Sequence, residues 1–310
     1  MSPSIPVGGD GHGEGRGRPR TIDAGQRDEL RRRPAWFPLL PAAASLGVYA
    51  LLGVVATTES LGPLRFLAWP GLGLVMAGFL AAAHDCFHLS FLGSRRGNRI
   101  AGMLWCTPIL TNFSAVKVAH MVHHRRTRVE GDSEHRLDFH HTAEYLAFLG
   151  SPLATARSAH RSMRLASERH STPFLRSRRQ RREAQQDAVL LMAWLALALG
   201  LSAWAPRTML ELYWGPLAFY LPMASAIALP EHYRCGDGPA TLPSTRTTIS
   251  NGLVRMLIWN SNYHVEHHLF PWVPSCNLPR AHRLVRGELR HCSSGYLAFH
   301  ARVLRDTSRR

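Results

Sequence analysis

The amino-acid sequence predicts an all-α integral membrane protein, in which four transmembrane helices form two hairpins and a cytoplasmic helical cap carries three histidine clusters. The first observation behind this prediction is a set of four long and nearly uncharged stretches, at residues 36–58, 64–83, 188–205 and 210–229. About 20 apolar residues are enough to span a bilayer as a helix. The second observation is that each histidine cluster lies close to one of these stretches or follows one along the chain.

The four stretches are predicted to cross the membrane as helices. A helix at the surface of a soluble domain has one polar and one apolar face, and these stretches have no polar face. The alternative is a set of buried helices in a large soluble core. However, the first two stretches reach the full length of a membrane span, and the other two reach or approach it.

The distribution of arginine sets the predicted orientation. The net charge is +16, which in a soluble protein would suggest a nucleic-acid partner. Here the arginines concentrate before the first stretch and throughout residues 84–187, whereas the short links within the two pairs carry mainly Arg65 and Arg207. Because lysine and arginine gather on the cytoplasmic side of membrane proteins, both termini and all three clusters are predicted to face the cytoplasm, at the inner membrane of the cell. No nucleic-acid partner is expected.

The chain is predicted to hold one integral membrane domain, at residues 34–290, between two tails. Residues 1–33 are polar and rich in glycine and arginine, so we expect a disordered cytoplasmic tail without a secretory signal. Residues 291–310 are expected to form a basic C-terminal tail. The five cysteines show no paired spacing and are expected to stay reduced.

The three histidine clusters predict a dinuclear metal site. They contain eight imidazoles, in the segments His84-Asp-Cys-Phe-His88, His120-Met-Val-His123-His124 and His264-Val-Glu-His267-His268. Neutral imidazole is the commonest metal ligand among side chains, and eight are too many for one zinc ion with four ligands. Residues three or four apart share one face of a helix. The second cluster is placed on a helix at 116–126, and the third on a helix that begins near residue 249.

With these clusters in this order around two apolar pairs, the chain resembles the membrane fatty acid desaturase family over about residues 35–285. The similarity is tightest at 259–271, which reads Trp-Asn-Ser-Asn-Tyr-His-Val-Glu-His-His-Leu-Phe-Pro, and the segments 245–247 and 250–251 resemble the acyl-lipid branch. The resemblance implies that the histidines hold two iron ions, which activate dioxygen at the cytoplasmic face of the membrane. It also implies a narrow tunnel for a lipid chain, whose walls we expect in the second and fourth stretches and in residues 100–113.

Further site residues follow from the resemblance and from their position beside the ligands. Members of the family carry an additional ligand histidine between the second hairpin and the third cluster, and His232 stands at the matching position. Taken alone, a single histidine is more often structural. Asp85, Glu231 and Glu266 each adjoin a ligand histidine. A carboxylate that accepts a ring N–H fixes the tautomer and raises the basicity of the ligand; the alternative is a solvated or salt-bridged carboxylate.

Two asparagines near the third cluster have two open interpretations. Asn260 and Asn262 would either contact a metal-bound water or fix a ligand ring, or they would cap a helix and bond the backbone. The nine remaining histidines lack the spacing or the position of ligands and are expected at the surface: His12, His135, His140, His141, His160, His170, His282, His291 and His300.

The resemblance implies an oxygen-dependent oxidoreductase that introduces a double bond into a fatty acyl or lipid chain. Each turnover then needs two electrons from outside, and the sequence holds neither a haem-binding segment nor the cysteine set of an iron–sulfur cluster. We therefore expect an external electron carrier, ferredoxin-like or similar, with its reductase. The arginine-rich run at 175–182 is expected to contact anionic headgroups, and docking of an acidic carrier is a second use of the same charge.

Two other functions stay open at the level of sequence. The same scaffold supports a hydroxylase or ketolase of a lipid, a carotenoid or a specialised metabolite, since the outcome depends on how the second C–H bond is positioned. A histidine-rich metal transporter is a more distant alternative. A transporter should carry polar ligands within its spans, and these spans are almost free of them.

Overall fold

The computed structural model describes residues 22–34, 36–134, 137–150, 152–167, 172–238 and 240–309. Within these ranges the chain is mostly helical, as predicted. Four helical segments are long and apolar enough to cross a membrane, and they coincide with the four stretches found in the sequence: Leu39–Thr57, Glu59–Phe87, Arg178–Trp204 and Pro206–His232.

The helices follow one another in chain order with short connections. The first part of the chain forms α1 (Ala24–Arg31), α2 (Leu39–Thr57), a 3-10 segment (Glu59–Leu67) and α3 (Ala68–Phe87). The middle part forms α4 (Arg95–Cys106), α5 (Phe113–Arg126), α6 (Thr142–Gly150) and α7 (Pro152–Arg164). The second apolar part forms α8 (Arg178–Trp204), α9 (Pro206–Met209), a π-helical turn (Leu210–Trp214) and α10 (Gly215–His232).

The remainder of the chain consists of short elements. They are α11 (Thr241–Ser244), β1 (Thr247–Thr248), α12 (Gly252–Leu257), α13 (His264–Leu269), a 3-10 turn (Ser275–Asn277), α14 (Leu278–Val285), β2 (Cys292–Ser293) and α15 (Tyr296–Ser308). The two strands pair in parallel.

The helix α3 is the centre of the apolar region. It contacts α2, α4 and α10, and most of its residues are buried, whereas most leucines of α2 are exposed. Glycine permits the close contacts. A Cβ at Gly73 would stand 2.6 Å from the Cβ of Phe219 in α10, and one at Gly78 would stand 2.0 Å from the carbonyl oxygen of Leu257 in α12. The position of α3 therefore sets the positions of both α10 and the segment that leads to the third histidine cluster.

The third histidine cluster does not lie on the single continuous helix expected from the sequence. Two short helices, α12 and α13, take its place, and the turn between them includes Trp259 and Asn260 with φ of 53° and 55°. The Asn260 side chain donates to the Ser275 carbonyl oxygen at 3.1 Å. Trp259 is buried against the rings of Phe37 and Phe91. These tertiary contacts hold a left-handed turn that sequence periodicity does not reveal.

Part of the segment predicted to be a disordered tail is folded. Leu30 in α1 is fully buried in an apolar cluster with residues of α14, and Asn277 donates its amide to the Leu30 carbonyl oxygen at 2.9 Å. The expectation of disorder over 1–33 is therefore wrong for α1, because composition alone does not show the apolar partner that α14 provides. Residues 1–21 lie outside the described residues.

The predicted C-terminal tail is also folded in its described part. β2 pairs with β1, and α15 contacts α6 and α10. Phe299 and Val303 of α15 are buried in a cluster that includes Tyr145 and Leu229. The basic composition of this segment conceals an amphipathic helix, whose apolar face is covered by its neighbours.

Gly78→Ala should lower the melting temperature of the detergent-solubilised protein strongly, because the added methyl group would overlap the Leu257 carbonyl oxygen. Extra methyl groups forced into a packed site cost about 1–3 kcal/mol, and sometimes more. Gly47→Ala in α2 is the matched control, since its position is exposed and no atom lies within 4 Å of an added Cβ. Its melting temperature should be unchanged or higher. Equal melting temperatures for the two variants would contradict the packing described for α3.

Candidate metal centre

Nine histidine side chains converge in two neighbouring groups. Each residue offers one ring nitrogen, and within each group these nitrogens all lie within 4.8 Å of one another. The first group contains His84, His88, His120, His124 and His267, and the second contains His123, His232, His264 and His268. These are the nine residues predicted as ligands, and no other histidine of the described ranges joins either group.

Helical spacing decides which group each ring joins. On α5, the residues four apart, His120 and His124, share the first group, whereas His123 joins the second. The helix α13 has the reverse arrangement: its pair four residues apart joins the second group, and the ring that lies between them, His267, joins the first. Both α5 and α13 therefore contribute to both groups, which places the two groups side by side. The C-terminal ends of α3 and α10 complete them.

The distances between ring nitrogens match those of ligands on one ion. In the first group, the Nε2 atom of His120 lies 3.0 Å from that of His88 and 2.9 Å from that of His124. In the second group, the Nε2 atom of His232 lies 2.9 Å from that of His264 and 3.1 Å from that of His123. A metal–imidazole bond is about 2.0–2.1 Å long, so two nitrogens bound at a right angle stand about 3 Å apart.

One buried nitrogen has no partner at all in the described part of the protein. The Nε2 atom of His268 is inaccessible to solvent and makes no hydrogen bond, although a buried polar atom without a partner is costly. A metal ion in the second group would satisfy it. The donor set and this nitrogen together fit two metal ions, one in each group.

Burial keeps five of the candidate ligand imidazoles neutral. It is the main cause that lowers the pKa of His124 to about 3, and the charges of neighbouring imidazoles lower the pKa further. The same causes place the pKa of His120, His264, His267 and His268 well below the ordinary 6.5. A metal ion binds only the deprotonated nitrogen. At neutral pH these rings therefore have no proton to lose before they bind.

Three oxygen atoms lie beside the second nitrogen of rings in the second group. The His123 Nδ1 atom lies 2.9 Å from Oδ1 of Asp132, and the His232 Nδ1 atom lies 2.8 Å from the carbonyl oxygen of Ser244. Oε1 of Glu231 lies 3.5 Å from His264 Nδ1. The hydrogen bonds of Asp132 and Ser244 orient their rings and direct Nε2 toward the other ligands of the group. Sequence reasoning missed Asp132, which stands across a turn from its ring and follows no helical spacing.

Two carboxylates predicted to hold ligand rings bond elsewhere. Asp85 accepts the hydroxyl of Ser275 at 2.6 Å. Glu266 is fully buried and accepts from the Thr247 hydroxyl and from Nδ1 of His282 at 2.6 Å. Neither carboxylate has a hydrogen bond to a ligand ring in the described structure. Each adjoins a ligand along a helix, and neighbouring helical side chains diverge, so both anchor the surrounding segments instead.

The two asparagines bond the backbone. Asn260 donates to the carbonyl oxygen of Ser275, as described above, and Asn262 donates to that of Thr248 at 2.9 Å. The Oδ1 atom of Asn262 is buried and has no hydrogen-bond partner in the described part of the chain. The backbone interpretation therefore accounts for the amide nitrogen of each residue but not for Oδ1 of Asn262.

The surface position expected for the other histidines is correct for some of them and wrong for two. His140, His141 and His160 are exposed. His282 is half-buried against Glu266, and His300 bonds the Tyr145 hydroxyl and the Ala226 carbonyl oxygen, at 2.6 and 2.8 Å. His291 is only partly exposed. The last three, which lie outside the described residues, are His12, His135 and His170.

Four apolar helices together with two adjoining groups of neutral imidazoles define a membrane protein with a candidate dinuclear metal centre. The profile of the fatty acid desaturase family matches residues 61–300, which is most of the chain. The chain belongs to this family and is a membrane fatty acid desaturase, an oxygen-dependent enzyme. The family gives no support to the alternative of a metal transporter.

Several lipid desaturases are similar to the chain. It is 27% identical over 281 residues to the sn-1 oleoyl-lipid 12-desaturase of Picosynechococcus sp., which covers 83% of this chain and 78% of the relative. It is 25% identical over 240 residues to the sn-1 acyl-lipid omega-3 desaturase (ferredoxin) of Synechocystis sp., which covers 70% of this chain and 66% of the relative. A stretch of 101 residues is 30% identical to the chloroplastic omega-6 fatty acid desaturase of Spinacia oleracea. This stretch covers 33% of this chain and 22% of the relative.

His232→Ala should lower the metal content of the purified protein from about two ions per chain to about one. The substitution removes one of the four ligands of the second group and none of the first. His300→Ala is the control, because it removes another half-buried histidine that belongs to neither group; it should retain both ions. Inductively coupled plasma mass spectrometry measures the content. If His232→Ala lost both ions, the prediction that each group binds its own ion independently would be wrong.

Proposed function

We propose that the protein introduces a double bond into the fatty acyl chain of a membrane lipid, with dioxygen as oxidant and two electrons from an external carrier. The observation that carries this proposal is a cavity of about 340 Å³ that extends from the apolar helices to both histidine groups. The names of the relatives, which describe acyl-lipid desaturases, support the substrate class.

The cavity has an apolar part and a histidine part. Its apolar wall comes from α3 and α10, with Leu80 and Ala81 on one side and Ile227 and Ala228 on the other. At its other end it meets rings of both groups, among them His84, His120, His264 and His267. An extended acyl chain in this space would place its methylene groups against the apolar wall and beside the metal ligands.

The stretch 100–113 makes no contribution to this cavity, contrary to the expectation from sequence. Ile109 and Leu110 are instead buried in the core cluster that includes Val75 and Leu217 of the two helices. The stretch supports the cavity wall from behind. The second and fourth apolar stretches do line the cavity, as expected.

The reaction divides between the bound metal and the protein. Two iron ions, held by the two histidine groups, would supply the oxidising chemistry that removes hydrogen from two neighbouring carbons. The acyl chain loses two hydrogen atoms; dioxygen takes these up with two electrons and two protons, and two water molecules leave. The side chains of Leu80 and Ile227 keep bulk water away from the reacting carbons. Asp132 and Ser244 orient ligand rings through their Nδ1 atoms.

We also propose the location and the electron source. The arginine distribution supports a position of the histidine groups and both termini on the cytoplasmic face of the inner membrane. The Synechocystis relative is named as a ferredoxin-dependent enzyme. A ferredoxin-like carrier with its reductase is therefore the proposed donor for this chain.

Expression of the chain in a host that supplies a ferredoxin and its reductase should yield a new lipid two hydrogens lighter than its parent. Mass spectrometry of the whole-cell lipids detects this species and names its acyl chain. His267→Ala, which removes a ligand of the first group, should abolish it, whereas His160→Ala, at an exposed position, should not.

Two outcomes would contradict the proposal. A product one oxygen atom heavier would establish a hydroxylase on the same scaffold. Unchanged lipids in a host that contains iron-loaded protein and a working donor would rule out a membrane acyl lipid of that host as substrate.

A further inference from the structure

A basic groove runs beside the metal centre, on the outside of α5 and along the first turns of α8. Two cavities of about 340 and 620 Å³ form it, and they share Arg179. We call this the basic groove; within the described part of the chain, the cations that line it without an ion pair are Arg95, Lys117, Arg125, Arg178, Arg181 and Arg182. One acidic residue, Glu183, lines it among the described residues, and Arg179 neutralises that carboxylate at 2.9 Å. The groove therefore holds a concentrated excess of positive charge.

The groove adjoins the first histidine group through a single helix. Lys117, Met121 and Arg125 of α5 line it, and the same helix carries His120 and His124. At 3.6 residues per turn, these two sets lie on neighbouring faces of α5. The separation between the groove and the ligand rings is thus less than a helix diameter, which is about 10–12 Å. Leu89, which follows the ligand His88, lines the groove as well.

The height of the arginines relative to the membrane distinguishes a lipid headgroup from a soluble partner. The apolar part of α8 begins near Ala188. At a rise of 1.5 Å per residue, Arg182 lies about 9 Å and Arg178 about 15 Å outside the apolar layer. The headgroup region extends roughly 5–8 Å on each side of the hydrocarbon. These arginines of α8 therefore stand in water beyond the headgroups, which favours a soluble partner over the lipid contact expected from sequence.

We propose that the basic groove is the docking surface of a small, acidic, soluble one-electron carrier of the iron–sulfur class. This inference rests on the proposed function, because desaturation consumes two electrons that the chain does not store. Two successive carriers each bind, give up one electron and leave oxidised. Charge complementarity brings the acidic carrier to the groove and orients it. The electron then has to cross only α5 to pass from the bound carrier to the ligand histidines.

The test uses the full chain in nanodiscs of phosphatidylcholine, with a plant-type ferredoxin, its reductase and NADPH. The variant is Arg178→Glu with Arg182→Glu; both positions are exposed, and an acidic residue at 178 suits the N-terminus of α8, so the helix should persist. The control reverses two exposed arginines of α15, Arg302→Glu with Arg305→Glu. The KM for ferredoxin should rise about tenfold or more in the groove variant and stay within about twofold in the control, with kcat at saturating ferredoxin unchanged.

Turnover driven by dithionite with a small-molecule mediator separates the two proposals. The wild type and the groove variant should desaturate equally with this donor. No mediator-driven turnover in the wild type would defeat the proposed function itself. Normal mediator-driven turnover with equal ferredoxin KM in wild type and groove variant would overturn the docking site. If the groove variant instead loses only bound phosphatidylglycerol, measured by native mass spectrometry in discs that contain it, the groove is a headgroup site.

Discussion

Nine imidazole rings meet in one small volume, and they must remain uncharged to do so. Adjacent Nε2 atoms within each group approach to 2.8–3.1 Å, a distance at which protonated rings would repel. Burial lowers the pKa of His120, His264 and His267, and the nine rings come together because α3, α5, α10 and α13 all carry ligands. Any displacement of one helix would expose rings to solvent, or would move apart the nitrogens that would bind one metal ion.

Buried polar contacts away from the rings keep the third cluster in place. Its helix, α13, is only six residues long and has little stability of its own. Glu266 ties it to Thr247 and to His282 of α14, while the bond between Asp85 and Ser275 joins the end of α3 to the segment that follows α13. Asp85 and Glu266 thus fix the segments that carry the ligands and make no hydrogen bond to the ligand rings in the described part of the chain.

Local patterns in the sequence were sufficient to predict the four apolar helices and the convergence of the eight clustered histidines, whereas His232 was predicted from the family resemblance. The apolar length of a span and the spacing of His120 and His124 are properties of one helix, so they can be read directly from the sequence. The contacts of Asp132, Glu266 and His282 could not be predicted, since each joins residues nine or more positions apart that follow no helical spacing. The same reason explains Leu30, whose burial depends on α14, and the turn at Trp259, which aromatic contacts hold.

We propose that each histidine group holds one iron ion. Crystals of the iron-loaded protein, measured at the iron absorption edge, give an anomalous difference map that tests it most directly. The account predicts two peaks per chain, one among the five rings that include His120 and one among the four that include His232. A single peak, or peaks away from these rings, would contradict it.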